Sequence, residues 1–237
     1  MDVMKGIWLI LWIEFRRSYV IFWTIILSFM MLGAMLSYTF LSESEVIMNW
    51  NTNFAVMVYL TITGAFLIKS GIHYGVAMGA SRVKMYFAIC IFMLCIATIS
   101  AFIDVGIYFA SNAVFHSLGI LFEVNSLFDF IVVEKNVVNY TSLNFALFSL
   151  TLSVSLLISL LKYHFGSIFL YLLGGVLALS IFIPAMNAYW IELGMWVYES
   201  DVLTIFVGVI FTSIIIFCLP LLLIKKINVF SNKKEAL

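Results

Sequence analysis

Charge is what this sequence has least of. Only 10% of its 237 residues are Asp, Glu, Lys or Arg, against 65% hydrophobic residues. A water-soluble domain of this length needs far more charge to cover its surface, so secreted-domain and nucleic-acid-binding readings are excluded. Cysteine is equally sparse, and Cys90, Cys95 and Cys218 all fall inside apolar runs, where a thiol is a packing residue rather than a disulfide partner or metal ligand. No GxxxxGK[ST] phosphate loop occurs, which removes ATP binding by that route, and there is no HExxH, CxxC or paired intramembrane carboxylate. Ser153, Ser155 and Ser159 have no base nearer than His164, and read as small residues for close helix packing rather than as nucleophiles. His73 and His164 stand alone, so no metal set is expected. Period-two alternation is absent, which argues against a β-barrel. The first apolar run follows Arg16 and Arg17 and is too long for the apolar core of a cleavable signal peptide.

What is present is a series of long apolar runs, with a mean hydropathy of +1.16. A membrane-spanning helix needs about 20 apolar residues. The runs therefore predict an all-α integral membrane protein, one transmembrane domain over residues 1–237, with six spans at 19–41, 54–70, 85–111, 141–161, 165–184 and 202–224. Residues 1–17 are apolar but carry Lys5, Glu14, Arg16 and Arg17, with Trp8 and Trp12 four apart. They read as an amphipathic helix lying at the interface, or as the ragged start of span one. In 112–140 the apolar pieces Val114–Phe122 and Leu127–Val133 are too short to span and should rest on or dip into the interface. Residues 162–164 read as a tight turn. Residues 185–201 mix Tyr189, Trp190, Trp196 and Tyr198 with Glu192, Glu199 and Asp201, the pattern of an outer interfacial or re-entrant hairpin.

Orientation follows from where the cations fall. If both termini are cytoplasmic, the inner segments 1–17, 69–84, 162–164 and 225–237 hold eleven of the twelve Lys and Arg and only the acids Asp2, Glu14 and Glu235. The outer loops then hold eight acids and Lys135 alone. A neutral chain thus conceals a strong charge asymmetry between its two sides.

The most polar interruption is residues 69–84, with Lys69, Arg82, Lys84, His73 and the glycines Gly71, Gly75 and Gly79. It exceeds a simple turn in length and keeps apolar residues that suit a docking knob. The run Gly75-Val-Ala-Met-Gly-Ala-Ser-Arg-Val-Lys-Met-Tyr-Phe87 resembles the segment joining spans two and three in bacterial ABC-2 type permeases, the membrane subunits of ABC exporters. The opening of that pattern appears here as His73-Tyr74-Gly75 in place of Phe-Pro or Phe-Ala. The resemblance implies that Gly79, Ser81, Arg82, Tyr86 and Phe87, with Gly75 and Lys84 beside them, form a cytoplasmic coupling segment that docks on the ATPase. It implies as partners a cytoplasmic ATPase dimer, which would carry the ATP and Mg, and a second permease copy or paralogue. This chain would itself be no enzyme and bind no cofactor. The layout and size are similar to those of small Gram-positive permeases that export amphipathic cytolytic or antimicrobial peptides, which places the chain in a bacterial cytoplasmic membrane as a multi-pass protein.

Asp104 is the one acid deep inside an apolar run. An intramembrane carboxylate marks a functional site by default, yet its place near the outer leaflet also suits a purely structural role, with Tyr108 or Asn112 as neighbours. The cargo expected from Phe-, Met- and Leu-rich spans is an amphipathic peptide. Hydrophobic drugs or lipids are the alternative cargo, and ion-coupled transport through Asp104, without any ATPase, is the alternative mechanism.

Overall fold

The computed structural model describes residues 3–40, 48–77, 79–129, 131, 135–182 and 184–224. The loop with Glu43 and Glu45, Glu134, and the basic segment 225–237 lie outside the described residues. Among the described residues seven helices and one small sheet follow in order: α1 (Val3–Phe40), β1 (Met48–Asn51), α2 (Thr52–Ala77), α3 (Arg82–Ser117), β2 (Phe122–Asn125), α4 (Val137–Phe165), α5 (Ser167–Phe182), α6 (Pro184–Glu199) and α7 (Val202–Ile224). Among the described residues four helices, α1, α3, α4 and α7, are long and apolar enough to cross a membrane, and Thr52–Ile68 of α2 is a shorter apolar helix.

The expected division between an interfacial helix over 1–17 and a span over 19–41 is absent, because α1 is one helix of 38 residues. Its buried side chains explain why. Ile7, Leu11, Phe15, Tyr19, Trp23, Ile26, Met30 and Ala34 recur at three- and four-residue intervals, a single stripe that runs past Arg16 and Arg17 without a break. Both arginines are on the exposed side. The stripe packs on α3 through Trp8 and Phe15, whose rings each meet Phe92 edge-on with centroids 5.9 Å apart.

Two core clusters give the direction of every long helix. One holds Ile7 and Leu11 of α1, Leu67 of α2, Met85 and Ile89 of α3 and Leu160 of α4, with Phe217 and Leu221 of α7 packed on it. The other holds Met30 and Ala34, Val105 and Tyr108, Tyr140 and Leu143, and Ile205. The start of α1, the start of α3 and the ends of α2, α4 and α7 therefore share one end of the bundle, the basal end. α4 and α7 run in the same direction, so residues 166–201 return the chain from the basal end to the other.

At that other, distal end the two strands pair in parallel, Met48 opposite Phe122 through Asn51 opposite Asn125. No strand was expected here. The apolar piece 114–122 is split between the last turn of α3, a turn at Leu118–Gly119 and the first residue of β2. Asn112 holds β2 in place: its amide nitrogen donates to the Val124 carbonyl and its Oδ1 accepts from the Val124 N–H, both at 2.8 Å. One side chain thereby satisfies both backbone groups of a buried strand residue.

The remaining boundaries shift for local reasons. α4 runs through the residues expected as a turn at 162–164 and stops at Gly166, whose φ of +81° suits a residue without Cβ. Of the segment 185–201, all but the last two residues lie in α6, which exposes Tyr189, Trp190, Trp196 and Tyr198. Pro220 lies inside α7 and removes the N–H that would reach the Ile216 carbonyl. One residue on, the Phe217 carbonyl receives the Tyr86 hydroxyl. Tyr86→Phe is expected to lower stability by about 0.5–1.5 kcal/mol, the net value of the hydrogen bond between α3 and α7 that it removes. A thermal melt of the detergent-solubilised protein that matched wild type would contradict this.

Candidate functional site

The segment 69–84 is not a separate docked helix. α2 continues through it to Ala77, and only the turn around Gly79–Ser81 separates α2 from α3. Gly79 has φ +72°, and the Ala80 N–H reaches back to the Gly75 carbonyl at 2.9 Å, the six-to-one closure that ends many helices. Ser81 is the N-cap residue of α3 in extended conformation, and its side chain makes no cap hydrogen bond.

The seven residues expected in a coupling segment divide into two groups. Gly79, Ser81 and Lys84 are exposed and Arg82 is half-buried at the basal tip, where Tyr74, Val83 and Phe87 also face outward. Gly75 and Tyr86 are core positions instead. Gly75 is buried, and a Cβ there would stand 2.6 Å from Met85 Sδ. Tyr86 is 3% exposed, with its hydroxyl committed to α7. These two set how tightly α2 and α3 close beneath the tip, and they offer no surface to a partner.

Asp104 lies toward the distal end, 2% exposed. Its neighbours are not those expected from helical spacing. Tyr108 donates to Asp129 at 2.8 Å and Asn112 serves β2. Asp104 meets residues of other helices instead: the Asn53 amide donates to its Oδ2 at 2.8 Å and the Asn144 amide at 2.9 Å. Asn53 also donates to Asn144 Oδ1 at 2.8 Å, and its own Oδ1 accepts from the Leu127 N–H at 3.0 Å. Asn53 and Asn144 are both essentially fully buried. The second residue of α2, the middle of α3 and the second turn of α4 are thus joined to the distal loop through amide groups. The sequence held a signal for this: Asn53 and Asn144 are amides at the edges of apolar runs, where an unpaired polar group is costly.

A turn of helix beyond Asp104, a second polar group forms. The Tyr108 and Tyr140 rings stack with centroids 4.9 Å apart, and both hydroxyls donate to Asp129 Oδ1. Asp129 Oδ2 accepts from the Ser126 N–H at 2.6 Å, and Lys135 Nζ is 3.9 Å from Oδ1. Beside this group a cleft of about 550 Å³ opens at the distal end, with Asn112, His116, Glu123 and Lys135 on its walls. The molecule therefore presents an exposed tip with Lys84 at one end and, near the other, a buried carboxyl group held by two amides below a cleft of mixed polar and apolar walls. Comparison with protein-family models, with curated proteins and with solved structures finds no match to this chain.

Proposed function

We propose that this chain is the membrane subunit of an ABC exporter that moves amphipathic peptides out of the cell. In this reading the chain crosses the cytoplasmic membrane six times with both termini inside. The common direction of α4 and α7 supports it. α5 and α6 have 16 residues each, about 24 Å apiece, so together they suffice for the return crossing and leave a segment for the outer face. The basal end is then the cytoplasmic one. It brings together the tip at 79–84 and the start of α1, the segments where the cations concentrate.

The observation that carries the reading is the tip itself. It is a narrow, exposed turn with Lys84 and Ser81 outward, mounted on two helices that reach through the bundle. A partner that gripped the tip and moved it would move α2 and α3 as rigid rods. Two ATPase chains, each holding one tip of a permease pair, would supply that movement. The apolar surfaces of α1, α5 and α6 suit a cargo with one apolar face, and an acid-rich outer face would receive a cationic one.

The test is co-purification of the detergent-solubilised chain with the ATPase encoded beside it, wild type against an Arg82→Glu/Lys84→Glu variant. Retained ATPase is expected to fall about tenfold or more when both cations are reversed, since each buried contact of that kind contributes about 1.5–3 kcal/mol. Lys84 faces solvent, so the single change Lys84→Glu is expected to leave the melting temperature unchanged and serves as the stability control. A wild-type chain that purifies alone and transports without nucleotide would defeat the exporter reading.

A further inference from the structure

The cleft at the distal end is made by a reversal of the chain. α3 ends at Ser117, Gly119 turns with a φ of +67°, and β2 then runs back along the last turns of the helix, with Phe122 against Phe115 and Val124 beside Asn112. Tyr108, Phe109 and His116 line it from α3, and Ile120, Glu123 and Lys135 from the chain beyond. The space of about 550 Å³ is that of a small-ligand site. The alternation in β2 buries Phe122 and Val124 and turns Glu123 outward. Most of the polar groups here are already committed. Asn112 serves Val124, Asn125 donates to Asn49, and Lys135 is shared with Asp129. The Glu123 side chain makes no hydrogen bond or ion pair among the described residues. Glu123 and Asp129 both act electrostatically on the Tyr108 hydroxyl. Two carboxylates therefore stand at this cleft against the one ammonium group of Lys135, among the described residues.

We propose that the distal cleft binds a basic, amphipathic peptide segment, with one Lys or Arg side chain held on the Glu123 carboxylate and a neighbouring apolar side chain laid against Phe109 and Ile120. The uncommitted carboxylate supplies a charge-assisted hydrogen bond to the cation. Phe109 and Ile120 are half-buried and give the apolar part of the ligand a surface to cover. A bare metal ion is the poorer occupant. It needs several ligands, and no group of three metal-ligating side chains occurs among the described residues. An anion is poorer still, since it would compete with Asp129 for Lys135 and lie beside Glu123. The choice of a peptide over other amphipathic amines rests on the exporter reading. The cleft and its charge do not, because they belong to this chain alone.

The experiment uses the full-length chain purified in detergent without an ATPase. The probe is N-acetyl-(4-fluoro-Phe)-Lys amide, which carries one cation and one apolar ring. Its binding is followed by fluorine NMR titration, with empty micelles as the blank. The expected result is saturable binding to the wild-type chain. Glu123→Gln is expected to weaken it about fivefold, and so is replacing Lys by Gln in the probe, which tests the same contact on an unaltered protein. Replacing the fluorinated ring by Gly in a competing peptide is expected to weaken competition by a similar factor. Lys135→Ala is expected to tighten binding about threefold, because it removes the one cation that opposes the probe. Equal binding of the Lys and Gln probes, or weaker binding to Lys135→Ala, would overturn the proposal; the second result would mean that the cleft takes an anion. Absence of saturable binding to the wild-type chain would overturn it too, while leaving the exporter reading to its own test by ATPase co-purification.

Discussion

Replacing Asn53 by Leu is expected to cost about 3–5 kcal/mol. Asn53 is fully buried and makes three kinds of bond from one side chain: to Asp104, to Asn144 and to the Leu127 N–H. Leucine has the same heavy-atom branching and a larger volume, so the loss does not come from a cavity. It comes from the groups left behind. The Leu127 N–H loses its acceptor, at about 1–3 kcal/mol. Asp104 Oδ2 keeps only the Asn144 amide of its two amide donors, and losing a hydrogen bond to such a group costs about 1.5–3 kcal/mol. The sum is not additive, because Asn144 can reorient toward the carboxylate. The measurement is the unfolding midpoint in detergent. Asn53→Asp is the informative companion: it retains the acceptor for Leu127 but places a second carboxylate against Asp104, and is expected to be as harmful as leucine. If Asn53→Leu melted within a degree of wild type, the amide cage would be incidental to the fold.

The length of the apolar runs already contained much of this architecture, since in a bilayer every backbone polar group must be satisfied within a helix or a closed sheet. α7 coincides with the expected 202–224, and α5 and α6 fall within a few residues of theirs. The errors have a common cause. Charges were read as ends of helices, but Arg16 and Arg17 in α1 and Lys69 in α2 lie inside continuous helices. Long basic side chains can lead their charge to water from within a helix, so a cation marks depth in the membrane rather than a terminus. Gly75 shows a second limit. The structure separates it and Gly71 from Gly79: Gly71 and Gly75 are buried against Ile89 and Met85, and Gly79 is open with a positive φ.

The polar cluster was half legible. Asp104 stood out by its charge alone. Its partners did not, because Asn53 and Asn144 are 51 and 40 residues away in sequence, and nothing local predicts which helix faces meet. Helical spacing offered Tyr108 and Asn112, one and two turns on, and both proved to have tasks in the distal loops. The parallel strand pair escaped for the same reason. Residues 48–51 and 122–125 are too short to carry a strand signal, and they pair only because α1–α2 and α3–α4 bring two loops to the same end of the bundle.

The second large effect is steric, at the crossing of α2 and α4. A Cβ at Gly64 would lie 2.6 Å from Ser155 Oγ and 2.9 Å from Ser155 Cβ, closer than two helices can hold such atoms. Lipid-embedded helices associate through packing of this kind, since the surrounding chains are as apolar as the helix faces themselves. Gly64→Leu is expected to destabilise the bundle by about 3 kcal/mol or more and Gly64→Ala by about 1–3 kcal/mol, measured as a fall in the unfolding midpoint. The decisive comparison is the double variant Gly64→Ala/Ser155→Gly, in which a methyl group is added on α2 and the serine hydroxymethyl group is removed from α4, so the space needed at the crossing is restored. The propensity cost of glycine in α4 is offset by alanine in α2, each about 1 kcal/mol. What is not restored is the bond from Ser155 Oγ to the Thr61 carbonyl, about 0.5–1.5 kcal/mol. The double variant should therefore melt within about 1.5 kcal/mol of wild type and above Gly64→Ala alone. A double variant as unstable as the sum of its two single changes would mean that the helices do not meet at this point, and the bundle order drawn from the core clusters would fail with it.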